Sequence, residues 1–297
     1  MRVFLTGASG FVGSAVMEDL IQAGHQVLAL VRGDDAAAKV ALLGAEPYRG
    51  DLSAPGHLAE AAKACDGVIH TAFIHDFSNM GESAKIDLAA IETIGAALAG
   101  SGKPFVVTSA IGVLEAGRLV TENDAPTPGS AGAYRVPSEL AALALAARGV
   151  RASVVRLPPS VHGEGDYGFV PALIDIARKQ AVSAYIGDGM NRWPAVHRRD
   201  AARLYRLALE SGVAGTAYHA VADEGVATRD IAEVIGKRLN LPVEGLSEEA
   251  VAGHFGWLGR FFGTDWWASS AQTQQELGWK PTHPGLLEDV DSAYFSG

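Results

Sequence analysis

The stretch that decides the fold is Thr6-Gly7-Ala8-Ser9-Gly10-Phe11-Val12-Gly13. It follows a short apolar run, Val3-Phe4-Leu5, and leads into a segment in which Val12, Val16 and Leu20 recur at helical spacing. A short apolar run predicts a buried strand, and the helical spacing predicts a helix with one apolar side. The chain therefore begins with a strand, a glycine-rich turn and a helix that ends near Gly24.

The glycines of this turn favour the close approach of an anion. Gly7 and Gly10 carry no Cβ atom, so a pyrophosphate can reach the backbone amides at the positive end of the helix. Gly13 lets the helix lie close to the sheet. The turn therefore predicts a nucleotide-phosphate site; the alternative is a glycine-rich connection that binds no ligand.

The alternation of strand and helix continues through the first half of the chain. Short runs rich in Val and Ile predict further strands at 27–31, 68–71, 105–108 and 153–156. The Ala-rich segment 138–147 predicts a helix with Ser138 as its N-cap and Gly149 as its stop. Such a series indicates an α/β fold with a Rossmann-type, doubly wound parallel sheet.

The pattern changes after Arg156, where prolines and glycines crowd the segment 158–171. Beyond it we expect helices at 173–179, 200–210 and 229–239 and a strand at 216–221. The C-terminal part is expected to be irregular and rich in aromatic residues.

No clean linker divides the chain. We expect residues 1–156 to form the dinucleotide-binding domain, with residues 197–222 returning to it. Residues 157–196 and 223–297 are expected to form a smaller substrate-binding subdomain.

Composition excludes several classes of function. The chain has 34 Asp and Glu against 24 Lys and Arg, a formal net charge of -10, so no DNA or RNA partner is expected. Cys65 is the only cysteine, which excludes an intrachain disulfide and a multi-cysteine metal site, and we expect no bound metal. There is no run of about eighteen apolar residues, so we expect a cytoplasmic protein without a membrane partner.

Arg32 follows the second predicted strand, at the position that distinguishes the two nicotinamide dinucleotides. A carboxylate there accepts hydrogen bonds from the ribose hydroxyls of NAD, whereas a cation pairs with the 2′-phosphate of NADP. Arg32 therefore predicts NADP(H), with NAD(H) left open. Asp34 and Asp35 oppose this interpretation because they repel phosphate, and the alternative is a solvated surface arginine.

Gly50-Asp51-Leu52 suggests a contact at the adenine end. Asp51 has a short carboxylate that can accept from the adenine amino group, and Leu52 lies beside it. The alternative is that Asp51 caps the helix that follows.

Taken together, these residues resemble the extended short-chain dehydrogenase/reductase family, which includes sugar-nucleotide epimerases and dihydroflavonol-type reductases. The resemblance runs almost the whole length of the chain. Besides the turn at 6–13 it rests on Gly50-Asp51-Leu52, Val68-Ile69-His70-Thr71-Ala72, Val107-Thr108-Ser109, Arg156-Leu157-Pro158-Pro159-Ser160-Val161-His162-Gly163, Gly187-Asp188-Gly189, Val196-His197-Arg198-Arg199-Asp200-Ala201-Ala202 and Glu276-Leu277-Gly278-Trp279-Lys280-Pro281.

The resemblance implies where a dinucleotide cofactor binds. The residues that it places around the pyrophosphate are Gly7, Gly10, Phe11, Val12 and Gly13. Thr71, Ala72 and Phe73 would lie along the nicotinamide half, and Leu157 and Pro158 would begin the segment at the nicotinamide end.

The family transfers a hydride, with a Ser or Thr that holds the substrate oxygen and a Tyr that moves the proton. A lysine four residues after that Tyr lowers the pKa of the phenol. Ser109 and Tyr134 are the candidates for the first two roles, but Ser138 stands where the lysine is expected. If Ser138 is instead matched to the serine that often precedes the lysine, Arg135 and Glu139 take the tyrosine and lysine positions.

The serine position departs from the family as well. The active hydroxyl usually belongs to the second of two serines, and that position is Ala110 here, with Ser109 its neighbour. Other proton donors that the sequence offers are His75, His162 and Tyr167. The pattern indicates a family member with an intact cofactor site and an atypical proton-transfer site.

The sequence analysis favours an NADP(H)-dependent oxidoreductase that reduces a ketone or aldehyde, with a small carbonyl or alcohol as substrate. The alternatives are an NADP(H)-binding sensor without catalysis, which the missing lysine supports, and a sugar-nucleotide epimerase or dehydratase. The epimerase or dehydratase would need a site for the phosphates of a nucleotide sugar, and the second half of the chain has few cations to form one. The resemblance also implies a homodimer formed through helices at 85–98 and 138–147.

Two further segments allow two interpretations each. Residues 117–132 predict a long loop that either covers the substrate or only connects elements. Six aromatic residues either form a wall of the substrate site or pack in the core or a subunit interface: Phe255, Trp257, Phe261, Phe262, Trp266 and Trp267.

Overall fold

Parallel strands form the central sheet of the computed structural model, which describes residues 1–76 and 79–295. These strands are β1 (Arg2–Thr6), β2 (Gln26–Val31), β3 (Glu46–Arg49), β4 (Gly67–His70), β5 (Pro104–Ala110), β7 (Arg151–Leu157) and β11 (Thr216–His219). Their order is β11-β7-β5-β4-β1-β2-β3, and each neighbouring pair is parallel. The sheet confirms the predicted doubly wound α/β fold.

Helices cover both faces of this sheet. On one face lie α1 (Phe11–Gln22), α2 (Asp34–Leu42) and α7 (Arg198–Ser211), and on the other lie α3 (Pro55–Ala64), α4 (Met80–Leu98) and α5 (Val136–Ala144). The other helices are α6 (Phe169–Gln180), α8 (Thr228–Leu239), α9 (Glu248–Phe255), α10 (Gly259–Phe262), α11 (Ala271–Leu277) and α12 (Leu286–Ser292). Within residues 1–76 and 79–295, no helix is long and apolar enough to cross a membrane.

The two faces of the sheet bury different residues of the same strands. Val3 and Leu5 pack with α1, α2 and α7, whereas Phe4 packs with α3, α4 and α5. Strands covered on both faces are apolar throughout, which explains why β1 and β4 appear in the sequence as continuous apolar runs.

The remaining strands are short and belong mainly to the second half of the chain. They are β6 (Leu119–Val120), β8 (Ser160–His162), β9 (Ser183–Ile186), β10 (Arg192–His197), β12 (Asp223–Ala227), β13 (Val243–Leu246) and β14 (Trp267–Ala268). They form the sheets β12-β10-β8, β13-β9 and β14-β6. A separate hydrophobic cluster fills the space between these sheets and α6, α8, α9 and α12.

The predicted start of the helix at 138–147 is wrong. Helix α5 begins at Val136 after an N-cap at Arg135, and Ser138 is buried within the first turn. Pro137 explains the difference, because proline favours the first turn of a helix. Gly149, with φ +71°, ends the helical region as predicted.

The C-terminal part is more regular than the sequence indicated, since α9, α11 and α12 lie there. Phe255, Phe262 and Trp266 are buried in the second hydrophobic cluster, so these three aromatic residues pack in the core. Trp257 is half exposed, at 50%.

The loop at 117–132 is tied to the second half. Strand β6 of this loop pairs with β14. The amide N–H and the hydroxyl of Thr273 both donate to Glu122 Oε1 at 2.7 Å. The Asn123 side chain donates to the side chain of Gln272. This loop therefore links the central sheet to the C-terminal elements.

Candidate functional site

The carboxyl ends of the parallel strands meet at one edge of the sheet, and the predicted cofactor residues follow them. Gly7 comes after β1, Arg32 after β2 and Thr71 after β4, while Leu157 ends β7 and pairs with Ala110 at the end of β5. Open α/β sheets bind their ligands outside this edge.

The glycine turn has no room for side chains. Gly7 has φ +77°, and a Cβ atom there would lie 2.7 Å from the Ala72 nitrogen and from Thr71 Oγ1. A Cβ atom on Gly13 would lie 2.0 Å from the Gly7 oxygen. The turn, the start of α1 and residues 71–72 are thus packed backbone against backbone.

Helix α1 begins at Phe11 with Gly10 as its N-cap, and no side chain of its N-cap bonds to its amides. The first N–H groups of a helix have no partner within the helix, and they carry partial positive charge. Together with the glycine cradle, this end of α1 fits the pyrophosphate of a dinucleotide.

Hydrogen bonds hold residues 71–72 against the end of β1. The Thr71 hydroxyl donates to the Thr6 carbonyl at 2.7 Å, and the Ala72 N–H donates to Thr6 Oγ1 at 3.3 Å. Thr6 Oγ1 also lies 2.8 Å from Nδ1 of the buried His70. Sequence reasoning placed Thr71 and Ala72 here but did not identify Thr6 as their anchor.

Two arginines lie near the predicted 2′ end of the cofactor. Arg49, on β3, is the register partner of Val31, the residue before Arg32. Arg49 forms an ion pair with Asp34, one of the two carboxylates expected to repel a phosphate. The Arg32 side chain is 78% exposed, and its Nε lies 4.0 Å from Asp51 Oδ2.

Asp51 forms a turn with Ser53 rather than capping α3. Its Oδ1 accepts from the Ser53 N–H at 2.9 Å and from the Ser53 hydroxyl at 2.7 Å, and these bonds lower the pKa of the carboxyl. The N-cap of α3 is Ala54. An adenine contact by Asp51 stays a prediction, and Leu52 packs against the core on that side.

Tyr134 and Arg135 both lie against Phe73. The rings of Tyr134 and Phe73 are 6.5 Å apart, and the Arg135 guanidinium carbon lies 4.2 Å above the Phe73 ring. Burial raises the pKa of Tyr134, while the positive charges of Arg135 and Arg260 act in the opposite direction. The phenol is therefore protonated at neutral pH and can donate a proton.

Arg135 is buried between β5 and α4. Its Nη2 donates to the Thr108 carbonyl at 2.8 Å and lies 3.5 Å from Asp87 Oδ2. Asp87 is also buried, and its Oδ1 is 3.1 Å from His70 Nε2. The pKa of Asp87 is lowered, because Arg135 and His70 outweigh the effect of burial. No sequence signal identified Asp87.

Ser109 is bound to a buried ion pair. Its hydroxyl donates to Glu139 Oε2 at 2.5 Å, and Glu139 Oε1 accepts from Arg156 Nη2 at 2.6 Å. All three residues are at most 2% exposed. The structure thus places Tyr134 at Phe73 and directs Ser109 to Glu139, and a substrate contact by Ser109 stays a prediction.

The other proton donors suggested by the sequence lie in different surroundings. His162 is buried, with Nδ1 2.7 Å from Asp289 Oδ2. The Tyr167 hydroxyl accepts from the Phe11 N–H at 3.2 Å, which places it at the start of α1. His75 lies 5.1 Å from the Phe73 ring, and burial lowers its pKa, so it is neutral at pH 7.

Comparison with known proteins identifies the family of the chain. The chain matches the NAD dependent epimerase/dehydratase family over residues 3–221. An uncharacterized protein of Schizosaccharomyces pombe is 51% identical over 298 residues, which cover 99% of this chain and 100% of that protein. The 4-hydroxy-2-methyl-3-oxo-4-farnesyl-3,4-dihydroquinoline-1-oxide ketoreductase of Stigmatella aurantiaca is 31% identical over 225 residues, or 73% of this chain and 67% of the ketoreductase.

Solved structures share the fold over nearly the whole chain. MoeE5 in complex with UDP-glucose and NAD superposes with a TM-score of 0.78 and 23% identity, covering 99% of this chain and 97% of MoeE5. At this identity the similarity concerns the fold.

Proposed function

Because this chain belongs to the NAD dependent epimerase/dehydratase family of extended short-chain dehydrogenase/reductases, we propose that it reduces a ketone or aldehyde with NADPH. The observation that carries the proposal is a half-buried, protonated Tyr134 at Phe73, the last of the residues assigned to the nicotinamide half. A phenol in this state can complete the reduction of a carbonyl. The ketoreductase relative supports the reaction class.

A nicotinamide dinucleotide fits the residues that surround the start of α1. The glycine turn carries no side chain that would keep a phosphate from the start of α1, and residues 71–73 lead from the turn to Tyr134. The nicotinamide supplies the hydride when it is bound. The protein supplies the orientation of the substrate and the proton.

In the proposed reaction Tyr134 gives its hydroxyl proton to the carbonyl oxygen while the carbonyl carbon accepts the hydride. The products are an alcohol and a tyrosinate, which water protonates again. The charge of Arg135 favours this tyrosinate. Arg135 thus supplies part of the positive charge that a lysine provides in the family pattern.

Tyr134→Phe is expected to lower turnover about 100-fold, at the lower end of what proton transfer contributes. The affinity for NADPH should not change, because the lost hydroxyl lies at the reaction end. NADPH oxidation over a panel of ketones and aldehydes, together with titration of the cofactor, measures both quantities. Tyr185→Phe in β9 is the control, and parental turnover in Tyr134→Phe would exclude Tyr134 as the acid.

The same group predicts the pH dependence. A donor must be protonated, and the pKa of Tyr134 is raised above its usual value of 10.0. The rate should therefore stay constant through neutral pH and fall only as the pH rises through that raised pKa.

The preference for NADPH is proposed on Arg32, whose side chain is exposed at the end of β2. Arg32→Ala should weaken NADPH binding about tenfold relative to NADH, because a hydrogen bond to a charged group is lost. Lys39→Ala on the exposed face of α2 removes a nearby charge without that contact. An equal loss for both cofactors would contradict the role of Arg32.

One observation favours a second function, a dinucleotide sensor without catalysis. Glu139, which stands at the lysine position in one match to the family, is held in an ion pair with Arg156 and accepts the Ser109 hydroxyl hydrogen. Tight NADPH binding with no oxidation for any carbonyl in the panel would support the sensor over the reductase.

A further inference from the structure

Residues 163–168 cross over the start of α1. The Phe11 N–H donates to the Tyr167 hydroxyl at 3.2 Å, and the two rings meet edge to face at 5.9 Å. Tyr167 is 74% exposed, so little buried surface holds it there. The Tyr167 hydroxyl therefore accepts from the same Phe11 N–H that could donate to a phosphate oxygen.

Arg198, the first residue of α7, connects this loop to α1. Its guanidinium carbon lies 4.7 Å from the Phe11 ring centroid. Nη1 donates to the Glu164 carbonyl at 2.9 Å, and Nη2 donates to Ser14 Oγ at 2.9 Å. Both acceptors are neutral oxygens, so these contacts orient the guanidinium without balancing its charge.

We propose that Arg198 and Tyr167 belong to the pyrophosphate part of the dinucleotide site. Arg198 adds a full positive charge to the partial charge of the helix amides at the pyrophosphate. Tyr167 holds the Phe11 amide until a phosphate oxygen replaces its hydroxyl. The inference rests on the proposed binding of a dinucleotide and adds two residues that the sequence motifs did not place in the cofactor site.

Charge explains why an anion would bind at this place. The chain carries a net charge of -10, yet a cation fixed by neutral partners packs on the first residue of a helix. The partial positive charge of the helix end and the guanidinium act together on an anion within one helical turn.

Two carboxylates lie on the same loop and act against an anion. The Asp166 carboxylate accepts from the Tyr294 hydroxyl at 2.5 Å and from the Gly168 N–H at 2.7 Å. Glu164 is exposed, so water and salt screen its charge.

The Tyr167 hydroxyl is a weaker partner for the amide than phosphate is. A hydrogen bond from an N–H to a charged oxygen is about twice as strong as one between neutral groups. The phosphate should therefore displace the hydroxyl, and the lost tyrosine contact should reduce the apparent affinity of the cofactor.

Calorimetric titration with ADP and with adenosine tests both residues without turnover. ADP has the pyrophosphate but no 2′-phosphate, so Arg32 does not affect the result. We expect Arg198→Gln to weaken ADP about tenfold, the loss of a hydrogen bond to a charged group, with little effect on adenosine. Arg198→Lys should restore part of the affinity, and the difference from the parent should shrink at high salt.

Tyr167→Phe should have the opposite effect and tighten ADP about threefold, because the competing hydroxyl is gone. Arg199→Gln, at the exposed neighbouring arginine, is the matched control for Arg198. If the Arg198→Gln and Arg199→Gln variants bind ADP with equal affinity, the proposed role of Arg198 is wrong. Unchanged or weaker ADP binding in Tyr167→Phe overturns the role of Tyr167.

The outcome is separable from that of the reductase proposal. ADP binding that responds to both variants, in a protein that oxidises no NADPH, supports this inference while it contradicts the reductase. A parent chain that binds neither ADP nor a dinucleotide overturns both.

Discussion

Gly13→Ala is expected to reduce the affinity for NADPH and for ADP by at least about 100-fold and to destabilise the fold. The new Cβ atom would lie 2.0 Å from the Gly7 oxygen, 2.6 Å from the Gly7 carbonyl carbon and 2.8 Å from Thr71 Oγ1. Two of these atoms are backbone, so the turn must open, and the phosphate-binding geometry is lost with it. Overpacking of this kind lowers the free energy of unfolding by about 1–3 kcal/mol.

Urea unfolding and calorimetric titration measure the two effects. Gly253→Ala is the matched control, since Gly253 is also in a helix, α9, and a Cβ atom there meets nothing within 4 Å. Alanine favours a helix over glycine by about 1 kcal/mol, so this control should keep its affinity and gain stability. If Gly13→Ala binds ADP as the parent does, the turn does not form the phosphate site.

Arg156→Met should lower the free energy of unfolding by about 3–5 kcal/mol, the usual cost of leaving one partner of a buried ion pair alone. Arg156 donates to Glu139 through Nε at 3.1 Å and Nη2 at 2.6 Å. It also donates to the Asp124 carbonyl and lies 3.1 Å from His219 Nε2. Among residues 1–76 and 79–295, the substitution leaves the Ser109 hydroxyl as the hydrogen-bond partner of the buried Glu139 carboxylate.

The double variant Arg156→Met with Glu139→Leu removes both charges, and we expect it to recover more than half of the lost stability in urea unfolding. Arg178→Met, which breaks an exposed pair with Asp175, should cost less than about 1 kcal/mol. A stability loss in Arg156→Met as small as that of Arg178→Met would show that the buried pair does not hold this part of the fold.

The ion pair involves one of the two candidate positions for the family's lysine. Glu139 and Ser138 occupy the two candidate positions for the lysine, and both side chains are buried. Arg135, which is bound to Thr108 and Asp87, supplies positive charge at Tyr134, and so does Arg260.

Much of the fold followed from local patterns. The turn at 6–13, the apolar strand runs and the helical spacing depend on residues close in sequence, and the structure confirms the parallel sheet they predicted. Prediction failed where a local preference competed with another, as when Pro137 rather than Ser138 set the start of α5.

Contacts between distant segments could not be predicted in this way. Arg135 meets Asp87 of α4, Arg156 meets His219 of β11, and Arg198 reaches Ser14 of α1. No spacing along the chain predicts these pairs, because the two partners of each pair belong to different elements.

The sequence by itself thus determined the parallel α/β fold and the glycine turn that suits a dinucleotide, since both depend on backbone geometry and short-range periodicity. Only the tertiary structure decided which charges surround the reaction end and the pyrophosphate end. Burying a charge is costly unless a partner is near, and which partners come near is set by how the elements pack.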